Sequence, residues 1–156
     1  MRNITISIKQ SDVFNDVQKL SSYEGAKKST PEQNVYKNVL ITEPQKEMLH
    51  PLFIECVNDI KIPVIKYMAD FSVGDDGLLT ITMHVPDNFD DAAENPIMSS
   101  MYAYLTNAVS SKWFVITLPG IAEYYASKAA SAIKDVAMLI NRRKRPDKFE
   151  FCTYNK

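Results

Sequence analysis

The stretch from residue 95 to residue 146 constrains the fold most, because its apolar residues recur at helical spacings of three and four. Asn95-Pro96 supplies a suitable N-cap and a first-turn proline, and residues 118–120, Leu-Pro-Gly, interrupt the period. The pattern therefore predicts a hairpin of two helices, 96–117 and 119–143. The expected buried positions are Met98, Met101, Tyr102, Leu105, Val109, Trp113 and Ile116 in the first helix and Ala122, Ala126, Ala129, Ile133, Val136 and Ile140 in the second.

The second helix of this hairpin ends in a concentrated positive charge, Arg142-Arg143-Lys144-Arg145, followed by Pro146. Cations in a last turn favour the negative end of the helix dipole, and proline stops the helix. Three interpretations of this basic cluster stay open. It is a solvated helix end, a docking site for an acidic surface of a protein partner, or a contact for nucleic-acid phosphates.

Composition limits the class of protein. A chain of 156 residues is long enough for one domain with one core, and a net charge of −1 creates no global field toward nucleic acid or membrane. The first residues lack the apolar run of a signal peptide, and no window is long and apolar enough to span a bilayer. Two distant cysteines, Cys56 and Cys152, indicate a reducing compartment without a disulfide.

The remaining elements complete a mostly helical α+β domain, 1–156, with three main helices and a small antiparallel sheet. Strict alternation in Ile4-Thr5-Ile6-Ser7-Ile8 predicts a strand, which we expect to pair within its own domain. Thr42 with Gln45 forms a capping box at the start of a helix that contains Pro51 and ends near Pro63. A β-hairpin is predicted over residues 71–85, with its turn at Gly74-Asp75-Asp76-Gly77.

Three segments are predicted to serve as interaction arms. These are the N-terminal strand within 1–10, the segment 27–41 and the tail 147–156. A short helix from Val13 to about Ser21 precedes the second of them. Residues 27–41 show no clear period and are predicted to form an extended loop, which in a small domain is usually functional.

No residue set predicts catalysis or metal binding. His50 and His84 belong to no spaced ligand motif, and Cys56 is expected in the core. The acidic segment Asp87-Asn88-Phe89-Asp90-Asp91 lacks the glycine and terminal glutamate of a calcium loop, so it is interpreted as a solvated turn. We therefore expect a protein that is not an enzyme and that needs no cofactor or metal.

Aromatic residues provide the other candidate contacts. Tyr104 and Tyr124 fall outside the main apolar stripes, and exposed tyrosines are common anchors of protein interfaces. In the tail, aromatic and polar residues alternate. The predicted partner-binding residues are Arg142, Arg143, Lys144, Arg145, Tyr104, Tyr124, Phe149, Phe151 and Tyr154.

Two runs in the helical hairpin are distinctive: Lys112-Trp113-Phe114, and Tyr125-Ala126-Ser127-Lys128-Ala129-Ala130. They are preceded in the chain by the alternating strand, a helix ending in Tyr23-Glu24-Gly25-Ala26-Lys27, the Thr42-Glu43 helix start and the strand 79–85. They are followed by the basic cluster and Pro146. In this order the parts resemble short virion structural proteins, of the neck or head–tail connector type. Such proteins are encoded by phages and prophages of gut Bacteroidetes, including crAss-like phages.

The resemblance implies a protein made in the bacterial host cytoplasm and located in the neck or tail region of the virion. The subunit would form a closed homo-oligomeric ring or adaptor below the portal, touching the portal and neighbouring neck and tail proteins. A tail-tube or tail-completion protein is the near alternative. The resemblance brings no catalytic residues and no cofactor, and it implies no membrane partner and only incidental contact with passing DNA.

Two functions of other classes compete with this expectation. A small regulatory module would contact nucleic acid through Arg142–Arg145, although near-neutral charge argues against it. A small enzyme would need a pocket with converging polar groups, and the sequence nominates no such set.

Overall fold

The computed structural model describes residues 1–145 as five α-helices and three strands. Two short 3₁₀ turns, Ile65–Tyr67 and Asp91–Ala93, lie between them. The predicted α+β class, mostly helical with a small antiparallel sheet, is confirmed, although four helices are long rather than three. In chain order the elements are β1 Arg2–Lys9, α1 Gln10–Lys28, α2 Tyr36–Val39, α3 Glu43–Val64, β2 Met68–Val73, β3 Leu78–Val85, α4 Glu94–Thr117 and α5 Pro119–Ile140.

The sheet has the order β1-β3-β2, and both pairings are antiparallel. Ile4, Ile6 and Ile8 face the core while Thr5 and Ser7 are exposed, as their alternation predicts. β1 pairs with β3 along its whole length, so the intramolecular pairing expected for this strand is confirmed. The turn between β2 and β3 falls at the predicted residues 74–77.

Helix α1 is longer than predicted. The apolar pattern indicates a helix that ends near Ser21, whereas α1 runs directly from β1 to Lys28. Its buried stripe is Val13, Val17, Ser21 and Glu24, which keeps the helical spacing with two polar residues in the second half. Because Ser21 and Glu24 are polar, the spacing of apolar residues does not predict the second half of the helix.

The prediction of an extended loop over 27–41 is wrong for six of its fifteen residues, which are helical. Residues 27 and 28 belong to α1, and Tyr36–Val39 form the single turn α2. Val39 and Ile41 are fully buried, and the Trp113 indole Nε1 donates a hydrogen bond to the Val39 carbonyl at 2.9 Å. One helical turn is too short to show a period, and its two apolar anchors fasten the segment to the chain's own core.

Helix α3 begins as its sequence predicts. The Thr42 backbone N–H donates to Gln45 Oε1 at 2.9 Å, and the Thr42 hydroxyl donates to the same oxygen at 3.0 Å. The helix then continues through both Pro51 and Pro63 to Val64. Pro51 is exposed, so its missing N–H lies on the solvent side of the helix.

The helical hairpin α4–α5 is confirmed, with α4 as the central helix of the domain. Asn95 lies inside α4 rather than capping it, and Met98 and Ile116 are exposed rather than buried, as is Ala126 in α5. Because α4 packs against α1, α3, α5 and β1, its buried residues occupy several faces instead of one stripe. They are Ile97, Met101, Tyr104, Leu105, Thr106, Ala108, Val109, Ser110, Ser111, Trp113 and Phe114.

Within residues 1–145, no helix combines the length and the apolar character needed to cross a membrane.

Candidate functional site

The basic cluster Arg142–Arg145 follows α5, which ends at Ile140, two residues before the cluster begins. Arg142 Nε lies 2.8 Å from Asp90 Oδ2, and Lys144 Nζ lies 2.9 Å from Asp91 Oδ2. Arg2 forms a second ion pair with Asp91. The cluster therefore docks on the acidic segment 87–91 of its own chain.

Backbone hydrogen bonds fix this docking. The Lys144 N–H donates to the Asn88 carbonyl at 2.9 Å, and Phe89 and Arg143 form an isolated antiparallel bridge. Phe89 is fully buried and anchors the segment in the core, whereas Asp87, Asn88 and Asp91 are exposed, as expected for a solvated turn. Arg143 Nη1 donates to the Ile140 carbonyl at 3.1 Å, which satisfies an acceptor at the end of α5.

The ion pairs of this contact match two of the four cations of the cluster within the described part of the chain. Hydrogen bonds from Lys144 and then from Arg2 hold the pKa of the Asp91 carboxyl below its ordinary value. Arg142 and Lys144 are both matched by aspartates. Arg145 is exposed and has no ion pair among the described residues. The predicted helix to residue 143 is too long, and the contact that the cluster makes with the segment 87–91 is not among the three interpretations.

We expect Arg142→Ser to lower the free energy of unfolding by about 0.2–1 kcal/mol, because the Arg142–Asp90 pair is partly exposed to water. Urea denaturation of the wild type, R142S, D90N and the double variant gives the coupling energy of the pair. Arg145→Ser is the matched control and should leave the urea midpoint unchanged. Equal midpoint shifts for the two arginine variants, with no coupling, would contradict the assignment.

The two tyrosines predicted as interface anchors have different environments. Tyr104 is 9 % exposed, so the prediction that it is a surface anchor is wrong. It faces Cys56 on α3, where burial raises the pKa of its phenol well above the ordinary value. Tyr124 is 58 % exposed, which agrees with the expectation for this residue.

Tyr124 lies in a cleft between α1 and α5 that we call the lysine–tyrosine cleft. Its volume is about 430 Å³. No sequence motif indicates this site, because the apolar pattern assigns Lys27 and Lys28 to an extended loop. The cleft is lined by Leu20, Tyr23, Glu24, Lys27, Lys28, Ile121, Tyr124, Tyr125 and Lys128.

The floor of the lysine–tyrosine cleft is a buried polar pair. The Tyr125 hydroxyl donates to Glu24 Oε1 at 2.9 Å, and Glu24 is 6 % exposed. Burial, and then the hydrogen bond to Glu24, raise the pKa of Tyr125 above its ordinary value. The pair joins α1 to α5 and holds the cleft in shape.

The other sequence candidates form no reactive site in the described residues. His50 Nδ1 lies 2.6 Å from Gln10 Nε2, and His84 Nδ1 lies 2.6 Å from Asn3 Oδ1, so the histidines make separate local contacts. Cys56 is buried, and burial raises the pKa of its thiol to about 12. Residues 1–145 contain no group of three or more histidine, cysteine, aspartate or glutamate side chains placed to hold a metal ion.

Three of the predicted partner-binding residues, Phe149, Phe151 and Tyr154, lie outside the described residues, as do Cys152 and the whole of the predicted arm 147–156. Comparison with protein-family models, curated proteins and solved structures gave no match for this chain.

Proposed function

We propose that this chain is a virion structural protein, a subunit of a head–tail connector or neck ring that docks below the portal of a bacteriophage. The observation that carries the proposal is that the two sequence runs behind the resemblance meet at one packed junction. Phe114, from the first run, lies with its ring centroid 5.0 Å from that of Tyr125, from the second. They are buried in the contact between α4 and α5.

The same junction extends into the rest of the domain. Trp113 holds the segment before α3 through its bond to the Val39 carbonyl, and Ser111 Oγ donates to the Ala122 carbonyl at 2.9 Å where the two helices approach. Lys112 Nζ lies 2.7 Å from Glu55 Oε1 on α3. The runs are therefore packing residues of a rigid body, which is what a structural subunit requires.

The surface also favours a structural role. A ring subunit repeats one contact between two different faces until the rotation closes. Opposite ends of α1 carry different charged surfaces, the acidic β2–β3 turn near Gln10 and the lysine–tyrosine cleft around Lys27 and Lys28. A protomer with two unlike ends is suited to repeated head-to-tail contacts.

Quantitative mass spectrometry of purified phage particles tests the proposal directly. We expect this protein at a low copy number that equals the rotational symmetry of the portal. A copy number comparable to that of the major tail or capsid proteins would instead assign it to the tail tube or the capsid surface. Absence from washed, intact particles would contradict a virion role altogether.

A nucleic-acid-binding regulator remains the candidate of another class. Such a regulator would bind DNA through Arg142–Arg145. Two of these four cations are already paired with Asp90 and Asp91. Steep salt dependence of DNA binding by the purified protein would favour it, since each neutralised phosphate releases counterions.

A further inference from the structure

We infer that the lysine–tyrosine cleft of one copy receives the acidic β2–β3 turn of a second copy of this chain, through Asp75 and Asp76. This inference rests on the proposed ring function for its biological setting, and it names the two surfaces that make the repeated contact. It assigns a role to the lysine residues of the cleft, which have no ion-pair partner in residues 1–145.

The cleft carries a surplus of positive charge. Its lysines are Lys27, Lys28 and Lys128, and its one carboxylate, Glu24, already accepts the Tyr125 hydroxyl. Lys128 Nζ lies 5.0 Å from the Tyr124 ring centroid, and Lys27 Nζ lies 5.8 Å from that of Tyr23. These cation–π contacts hold the ammonium groups at the rim of the cleft, where an incoming carboxylate can reach them.

The acidic turn has the complementary properties. Asp75 and Asp76 are exposed, and neither forms an ion pair with another described residue. Asp76 Oδ1 accepts the Leu78 N–H at 3.1 Å, and the Gly77 N–H donates to the Gly74 carbonyl at 2.9 Å. Gly77 adopts a φ of 77°, which glycine accepts without strain. The turn is therefore a preformed element that presents two carboxylates.

The geometry prevents one chain from joining its own two surfaces. The turn lies at the start of α1, where the Gln10 N–H donates to the Gly77 carbonyl at 3.0 Å. Lys27 and Lys28 end the same helix, which has 19 residues. At 1.5 Å per residue the two surfaces lie about 28 Å apart. A second copy supplies the missing partner, and the contact is heterologous because the two surfaces differ.

A carboxylate partner fits the cleft better than a nucleic acid does. Base stacking needs open aromatic faces, and the ammonium groups of Lys27 and Lys128 compete with a base for one face of Tyr23 and of Tyr124. Both tyrosines are largely exposed, at 63 % and 58 %, so they offer contact area around the ion pairs. The net charge of −1 also gives no general attraction to phosphate.

Cysteine cross-linking tests the contact. In a Cys152→Ser background, which leaves only the buried Cys56, Asp75→Cys and Lys128→Cys are introduced into the same chain. Oxidation at low salt should give a ladder of dimers, trimers and larger species, because each chain offers both ends. The control pairs Asp75→Cys with Lys134→Cys, which is exposed on α5 outside the cleft. An equal ladder from the control would overturn the inference.

Charge reversal gives a second, independent test by sedimentation velocity. One variant carries Asp75→Lys and Asp76→Lys, and the other carries Lys27→Glu, Lys28→Glu and Lys128→Glu. We expect each variant alone to self-associate about tenfold or more weakly than wild type, and an equimolar mixture to recover association because the charges again match. Circular dichroism confirms that both variants fold. Failure of the mixture to recover would count against the pairing.

The failure of this inference is distinguishable from failure of the proposed function. Particles that contain the protein at portal copy number, but give no cross-link between positions 75 and 128, would overturn the pairing and leave the ring function standing. A ladder in solution from a protein absent from particles would do the reverse. Binding of a fluorescent oligonucleotide that is lost in the triple-glutamate variant, without any ladder, would reassign the cleft to nucleic acid.

Discussion

Replacing Phe114 by alanine is expected to lower the free energy of unfolding by about 3–5 kcal/mol. The Phe114 side chain is fully buried, and its ring packs on Tyr125 with centroids 5.0 Å apart and an angle of 46° between the planes. Truncation removes this contact and leaves a cavity between α4 and α5. Because a domain of this size is stable by only about 5–15 kcal/mol, the loss should be plain in the urea midpoint.

Ile116→Ala is the matched control, two residues further along the same helix. Ile116 is 64 % exposed, so its truncation should change the free energy of unfolding by less than about 0.5 kcal/mol. Comparable losses for the two variants would mean that the α4–α5 junction is not where the structure places it.

The same pair of residues shows what the sequence predicts well and what it does not. The spacing of apolar residues predicts both helices of the hairpin and their break at residue 118 because helical period is a local property. It places Ile116 on the buried stripe, yet that position faces solvent. The burial of each residue in α4 depends on how α1, α3, α5 and β1 pack around it. The local sequence pattern does not indicate these neighbours.

Helix α1 illustrates a second limit. Its last two turns bury Ser21 and Glu24, whose partners are remote in sequence. The Ile41 N–H donates to Ser21 Oγ at 3.4 Å, and Glu24 accepts from Tyr125, 101 residues away. A polar residue satisfied by a distant partner is indistinguishable in the sequence from an exposed one. Counting only the apolar residues therefore ends the helix too early.

The candidate sites follow the same rule. The exposure of Tyr124 could be predicted because it falls off the apolar stripe of α5. The burial of Tyr104 could not, since it depends on α3 packing against that side of α4. The basic cluster 142–145 is evident in the sequence. Its acidic partners, Asp90 and Asp91, lie about fifty positions earlier, and their local sequence predicts only a solvated turn.

The protein is expected to lose stability steeply at alkaline pH, beginning near pH 9. Burial raises the pKa of the Cys56 thiol to about 12, with smaller effects from the neighbouring Lys112, Asp59 and Glu55. An unfolded cysteine titrates near about 8.5. Because the folded pKa is the higher one, the stabilisation is fully present below about pH 8.5 and is lost as pH rises toward 12.

Three tyrosines should steepen the loss above about pH 10, where an unfolded tyrosine ionises. Burial is the main cause that raises the phenol pKa of Tyr102, Tyr104 and Tyr125, and hydrogen bonds to Asp16 and Glu24 add to it for the first and third. Each of these groups binds its proton more tightly in the folded chain. Unfolding therefore releases protons, and rising pH drives it.

Urea midpoints measured from pH 7 to pH 11.5 test this expectation. The free energy of unfolding of the wild type should stay constant up to about pH 8.5 and then decrease. Each group that titrates only in the unfolded chain contributes a slope of about 1.4 kcal/mol per pH unit.

Cys56→Ala should delay this decrease until about pH 10, whatever its effect on stability at neutral pH. Tyr125→Phe should make the fall above pH 10 shallower, and Ile116→Ala, which removes no titrating group, should leave the profile parallel to that of the wild type. A Cys56→Ala profile that still turns down near pH 9 would mean that the thiol is not buried between α3 and α4.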